Sequence, residues 1–293
     1  PFYIYYSMFG FQRIGDMAWL AGDQQARGFL LGATAGRTTL NGEGLQHEDG
    51  HSHIQANTIP NCISYDPTFA YELAVIMQDG IRRMYGENQE NVYYYLTVMN
   101  ENYAMPAMPE GAEEGIRKGI YKLESHAGAK GKVQLMSSGT IMNEARKAAA
   151  ILSEEYGVAS DVFSVTSFNE LTRDGQAVER DNMLHPEAEE KVPYITTVLG
   201  KEPAIAVTDY MKNYAEQVRA YMPTESYKVL GTDGFGRSDS RANLRRHFEV
   251  NAGYIVVAAL TELAKRGDIE KSVVAEAIAK FDIDTEKTNP QYA

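Results

Sequence analysis

A single cysteine, a single tryptophan and no lysine before Lys118 are the conspicuous shortages of this 293-residue chain. Cys62 has no partner for an internal disulfide, and its place in the apolar run 59–65 predicts a buried, unreactive thiol. No apolar run approaches the roughly 18 residues that cross a bilayer, and the N-terminus lacks the basic start and apolar stretch of a signal peptide. Export and membrane insertion are therefore not expected, and a cytoplasmic location is. Positive charge is also short: 28 Lys and Arg against 40 Asp and Glu leave a formal charge of −12. Such a chain repels phosphate backbones and anionic lipids, which argues against nucleic acid and membrane as partners.

The missing lysines carry a further implication. Residues 1–107 hold five arginines and eleven acidic residues but no lysine, the residue most depleted from buried and interface surfaces. The first hundred residues are thus expected to be covered, by further chain or by another subunit. Pro1 leads straight into the β-prone run Phe2-Tyr3-Ile4-Tyr5-Tyr6, as a piece of a longer chain would. What remains is an ordinary globular composition, 44% hydrophobic and 23% charged, in a length about twice that of a typical domain.

The strongest break in the pattern is the Pro106 and Pro109 stretch, which predicts a linker near 100–110 and two units, 1–107 and 108–293. In the first, strands are expected near 2–6, 28–31, 61–65 and 92–98, with helices at 10–22 and from Pro67 to Tyr85, the latter capped by Asp66. In the second, strands are expected at 133–136, 160–165, 204–207 and 227–230. Helices are expected at 141–156, ended by Gly157, and near 210–220, 252–266 and 270–281. Short apolar strands alternating with helices predict an α/β fold: two domains with mainly parallel sheets flanked by helices. Residues 282–293 read as a polar tail.

Ligands of open α/β sheets sit on loops beyond the carboxyl ends of the strands, so the long loop after Leu31 is the first place to look. It contains Gly32-Ala33-Thr34-Ala35-Gly36 and then Leu40-Asn41-Gly42-Glu43-Gly44-Leu45-Gln46-His47-Glu48-Asp49-Gly50-His51-Ser52-His53, with three of the six histidines. Glycines permit close ligand approach, and histidines beside Glu43, Glu48 and Asp49 are candidate proton donors, acceptors or metal ligands. A solvated polar loop is the bland alternative. A zinc site on His47, His51 and His53 is conceivable, but the spacing fits no common signature and HExxH is absent, so no metal ligands are assigned.

The stretch Gly231-Thr232-Asp233-Gly234-Phe235-Gly236-Arg237-Ser238-Asp239-Ser240-Arg241 lacks the GxGxxG order and the P-loop lysine, so a strand-to-helix turn is expected there. The basic cluster Arg241, Arg245, Arg246, His247 predicts a solvated or salt-bridged helix face. No GxSxG elbow is present to support a serine hydrolase. Tyr5, Tyr6, Phe9 and Phe11, at the end of the first strand, could hold a planar ring, although plain core packing explains them as well.

Three stretches together resemble one family: Tyr6-Ser7-Met8-Phe9-Gly10-Phe11-Gln12-Arg13-Ile14-Gly15-Asp16, the segment from Thr38 through Leu40-Asn41-Gly42-Glu43 to His53, and Gly231-Thr232-Asp233-Gly234-Phe235-Gly236-Arg237-Ser238-Asp239. They are similar to the homodimeric bacterial pyruvate dehydrogenases of the transketolase superfamily, over roughly the last third of that family's chain. The resemblance implies that 1–107 is the C-terminal part of a pyrimidine-binding domain and 108–293 a transketolase-type C-terminal domain. It implies dependence on thiamine diphosphate and Mg2+, decarboxylation of pyruvate, and acetylation of the lipoyl group on a partner dihydrolipoyl acetyltransferase.

By the same resemblance Phe9 packs on the aminopyrimidine ring with Tyr6 beside it. His47 faces the thiazolium and hydrogen-bonds the substrate oxygen, and Glu43 is an active-centre carboxylate with an ordering or interface role. His51 and His53 are expected to be structural. The family's cofactor-activating glutamate and its diphosphate and magnesium ligands have no counterpart here; Thr232-Asp233-Gly234 lacks the Asn of that motif. This chain alone is therefore expected neither to bind the cofactor tightly nor to turn over. Other readings are an assembly module that builds a dimer, a related 2-oxo acid dehydrogenase or transketolase, and a metal-dependent hydrolase on the histidine loop.

Overall fold

The computed structural model describes the backbone of residues 2–293 and the side chains of residues 11–293. Two sheets form, as the strand and helix alternation predicts. The first contains β1 (Phe2–Tyr6), β2 (Phe29–Ala33), β3 (Cys62–Tyr65) and β4 (Tyr93–Thr97) in the order β1-β2-β4-β3, with every pairing parallel. Its helices are α1 (Ser7–Asp23), α2 (Ser52–Asn57) and α3 (Ala70–Tyr85). All five residues of β4 are buried, which is the pattern of a strand covered on both faces. Cys62 is fully buried in β3, and burial pushes its thiol up to about 12.

After α4 (Ala112–Lys118) comes the second sheet: β5 (Tyr121–His126), β6 (Lys132–Ser137), β7 (Ala159–Ser164), β8 (Ala204–Val207) and β9 (Tyr227–Leu230), in the order β5-β7-β6-β8-β9. β5 runs antiparallel at one edge, and the other pairings are parallel. The remaining helices are α5 (Met142–Tyr156), α6 (Phe168–Leu184), α7 (Tyr194–Val198), α8 (Asn213–Glu216), α9 (Arg241–His247), α10 (Ala252–Arg266) and α11 (Lys271–Lys280). The small side chains Ala145, Ala148 and Ala149 let α5 lie close to Ile255, Val256 and Ala259 of α10 in one core against the sheet. α5 stops at Gly157, whose φ of 67° is the left-handed conformation that glycine adopts without steric cost. Among the described residues no helix is long and apolar enough to cross a membrane.

Asp66 does not cap the third helix. α3 starts at Ala70, and Glu72 caps it by accepting hydrogen bonds from the backbone N–H groups of Thr68 and Phe69. Asp66 is taken by tertiary partners instead: Thr97 and Tyr210 donate to one carboxylate oxygen and Ser138 to the other. Glu72 itself reaches across to the second sheet, where Tyr121 and Ser164 donate to it at 2.6 Å each. Buried carboxylates with every donor in place thus join the two sheets.

Candidate active site

Beyond the carboxyl ends of β2 and β4 lies a cavity of about 460 Å³ lined by Thr34, Leu40, Glu43, His47 and Asn100. The position is the one that parallel sheets reserve for ligands, and the volume suits a cofactor-sized molecule. Thr34, just past β2, holds a φ of 58°, uncommon for a β-branched residue, and its buried hydroxyl has no hydrogen-bond partner among the described residues. His47 sits in a 3₁₀ turn, Leu45–His47, with Nδ1 3.3 Å from a Glu43 carboxylate oxygen. A carboxylate beside Nδ1 favours the hydrogen on that nitrogen and so fixes the orientation of the ring.

The loop that carries this pair rests on a buried charged floor. Asp209, just past β8, accepts from the backbone N–H and hydroxyl of Thr38 at 3.0 and 2.7 Å and from the hydroxyl of Thr39 at 2.9 Å. Burial raises its pKa to about 6, while Arg245 and these donors hold it down. Arg245, itself buried, pairs with Glu101 and lies 3.7 Å from Glu144. Arg37 donates to the carbonyls of Thr232, at 2.9 Å, and Gly234. Glu48 is fully buried; one oxygen accepts from the Arg237 backbone N–H at 2.7 Å and the other has no hydrogen-bond partner among the described residues. Burial lifts the Glu48 carboxyl to about 7 against the pull of that hydrogen bond and of Arg37.

The structure brings together His47 and Glu43 and separates the other loop histidines from them. His51 heads α2, its N–H donating to Asp49, and burial lowers its pKa. His53 is fully buried in the seam, its Nε2 3.0 Å from the Thr97 hydroxyl and its ring stacked on Tyr214 at 4.8 Å. Among the described residues no group of three or more His, Cys, Asp or Glu side chains is placed to hold a metal ion. Tyr6 and Phe9, expected against a ring, have side chains that lie outside the described residues. The 231–241 stretch joins β9 to α9, and the basic cluster is salt-bridged through Arg245 and Arg241 to Glu101. Sequence reasoning missed Asn100, Arg37 and Asp209. Asp209 was findable, because it lies two residues beyond the carboxyl end of a strand legible in the sequence.

Two family models match: the pyruvate dehydrogenase E1 component middle domain over residues 1–106 and the transketolase-like TK C-terminal domain over residues 119–251. The chain is 73% identical over 293 residues to the pyruvate dehydrogenase E1 component of Escherichia coli (strain K12), covering 100% of this chain and 33% of that relative. It is 65% identical over 295 residues to that of Haemophilus influenzae and 64% identical over 293 residues to that of Pseudomonas aeruginosa, covering 100% and 99% of this chain and 33% of each relative.

Solved structures share the fold at low identity. Transketolase from Campylobacter jejuni superposes with a TM-score of 0.67 at 16% identity, over 89% of this chain and 35% of that one. Transketolase from Leishmania mexicana gives 0.66 at 19% identity, over 91% and 34%. A split gene transketolase, an inactive β4 tetramer, gives 0.52 at 13% identity, over 80% and 67%. The chain thus spans 33% of the length of the E1 relatives it matches. With both family models in chain order and 73% identity along its whole length, the chain matches the C-terminal third of bacterial pyruvate dehydrogenase E1 components.

Proposed function

We propose that this chain forms one wall of the active site of a thiamine-diphosphate-dependent, acetyl-transferring pyruvate dehydrogenase. The observation that carries the reading is the His47–Glu43 pair on the wall of the strand-end cavity. The wall suits a planar heteroaromatic cofactor: Leu40 supplies an apolar surface, and the partnerless Thr34 hydroxyl and the Asn100 amide offer polar contacts. Bound thiamine diphosphate supplies the carbon nucleophile that makes loss of carbon dioxide from a 2-oxo acid possible.

The chain's own residues bind, orient and move protons around it. Glu43 keeps the Nδ1 hydrogen of His47 in place, so that Nε2 can donate to the substrate oxygen where negative charge develops. A donor so placed is worth about 2.7 to 4 kcal/mol of barrier. Leu40 and the enclosing loop limit water. Tyr6 and Phe9 pack against the cofactor ring in this reading, and the diphosphate and Mg2+ ligands lie outside these residues. The acetyl group passes to the lipoyl group of a partner dihydrolipoyl acetyltransferase in the cytoplasm, and the working enzyme is a homodimer. The split gene transketolase, inactive as a β4 tetramer, supports the view that this part assembles without turning over alone.

In a chain of the full length of its relatives, His47→Ala is expected to lower pyruvate turnover by about 10²- to 10³-fold. Near-normal turnover would remove His47 from the chemistry. For the 293-residue chain, calorimetric titration with thiamine diphosphate and Mg2+ is expected to show no binding at millimolar cofactor. Micromolar binding would mean that the diphosphate site is already here.

A further inference from the structure

The 231–241 stretch has no task in this reading beyond joining β9 to α9, yet several of its contacts fall on the loop that carries His47. The backbone N–H of Gly42 donates to the Asp239 carbonyl at 3.0 Å, and the N–H of Arg241 donates to the Asn41 side chain at 2.9 Å. On the far side of His47, Glu48 accepts from the N–H of Arg237 at 2.7 Å. Between these ties the backbones touch: a Cβ at Gly236 would stand 2.4 Å from the Leu45 carbonyl oxygen. Arg37 closes the arrangement from beneath by donating to the carbonyls of Thr232 and Gly234. A Cβ at Gly50 would lie 2.0 Å from its guanidinium, so the loop wraps that side chain tightly.

We infer that residues 231–241 are a clamp that positions His47 for proton donation. The turn holding Glu43 and His47 is tied before and after by one segment almost two hundred residues later in the chain. A connection that only reverses the chain needs local turn hydrogen bonds; this one gives backbone groups of Arg237, Asp239 and Arg241 to residues 41–48. The physical demand is plain: a short 3₁₀ turn in a glycine-rich loop has little rigidity of its own, and a displacement of about 1 Å at a catalytic group can cost roughly 100-fold in rate. Asn41, Glu48, Gly236 and Arg237 are thus positioning residues, and the inference rests on His47 acting as proposed above.

The test is a double-mutant cycle in the full-length holoenzyme, with pyruvate as substrate. Gly236 lies outside the left-handed region, so Gly236→Ala acts by pushing on Leu45. It is expected to lower kcat and kcat/KM together by roughly 10-fold, and to cause no further loss in a His47→Ala background, as residues acting through one group do. Wild-type kcat in Gly236→Ala, or an equal loss in both backgrounds, would overturn the clamp. Full activity of His47→Ala alone would refute the catalytic reading and the clamp with it, whereas loss in His47→Ala with none in Gly236→Ala refutes only the clamp. If Gly236→Ala does not fold, Asn41→Ala removes one tie at an exposed residue, and a few-fold loss that vanishes in the His47→Ala background is the expected result.

Discussion

At the scale of single residues, the loop trades stability for order. Gly36 has a φ of 86°, and a Cβ there would stand 2.2 Å from an Asp209 oxygen, so glycine is needed for both conformation and space. Glu48 has no such fit: a carboxyl with its pKa lifted to about 7 by burial is costly to keep charged. Between its ordinary value of 4.5 and about 7 the folded chain holds more protons at Glu48 than the unfolded chain does. Its contribution to stability therefore falls as pH rises through that window. Glu48→Gln keeps an acceptor oxygen for the Arg237 N–H without the charge. Urea unfolding near pH 5 and near pH 8 is expected to show a flatter pH dependence in the variant, with up to about 3 kcal/mol of relative gain at the higher pH. Parallel curves for variant and parent would show that burial does not burden this carboxylate.

At the scale of elements, caps and packing decide where helices begin and end. The side chain of Asn251 caps α10 by accepting from the Tyr254 N–H at 3.1 Å. Asn251→Ala is expected to lower unfolding free energy by about 1 kcal/mol with catalysis unchanged in the full-length enzyme, measured by denaturant titration. α5 and α10 were legible in the sequence because their apolar spacing and terminal glycines, Gly157 and Gly267, agree, and α11 by its apolar spacing alone. α6 was not: it is polar, carries Gly175 at mid-helix and looks like a loop. Gly175 is there because the Tyr221 ring packs onto it, with a Cβ position 2.5 Å from the ring. β5 was missed for a related reason, since a half-exposed edge strand with a register shift between Lys122 and Glu124 breaks strict alternation.

At the scale of the whole molecule, the first hundred residues present apolar surface where lysine is absent. Met17, Trp19 and Leu20 on α1 are 60%, 45% and 41% exposed, and Ile81 and Tyr85 on α3 are 51% and 53% exposed. Such groups belong under another surface, which is what the proposed homodimer provides. The 293-residue chain is expected to self-associate at micromolar concentration in sedimentation experiments, with the emission of Trp19, its only tryptophan, shifting to the blue as it does. Met17→Glu with Leu20→Glu should drive it toward monomer. A parent chain that stays monomeric would assign these side chains to contacts with other parts of a longer chain.

Sequence by itself determined the α/β class, most strands, the buried thiol and the loop on which His47 and Glu43 stand, because these depend on local spacing and on residue type. The family resemblance of the same stretches added roles for those residues. Residue type and spacing left His47, His51 and His53 alike as candidates and the resemblance alone singled out His47; the tertiary structure puts His47 on the cavity wall and His53 in the seam against Tyr214. It also decided the fate of Asp66, a cap by its sequence neighbours and a seam residue by its partners, and of Asp209, Arg37 and 231–241. Asp209 and 231–241 meet the His47 loop from the second sheet's side, Arg37 reaches back to them from within that loop, and contacts of that sequence separation leave no periodicity to read.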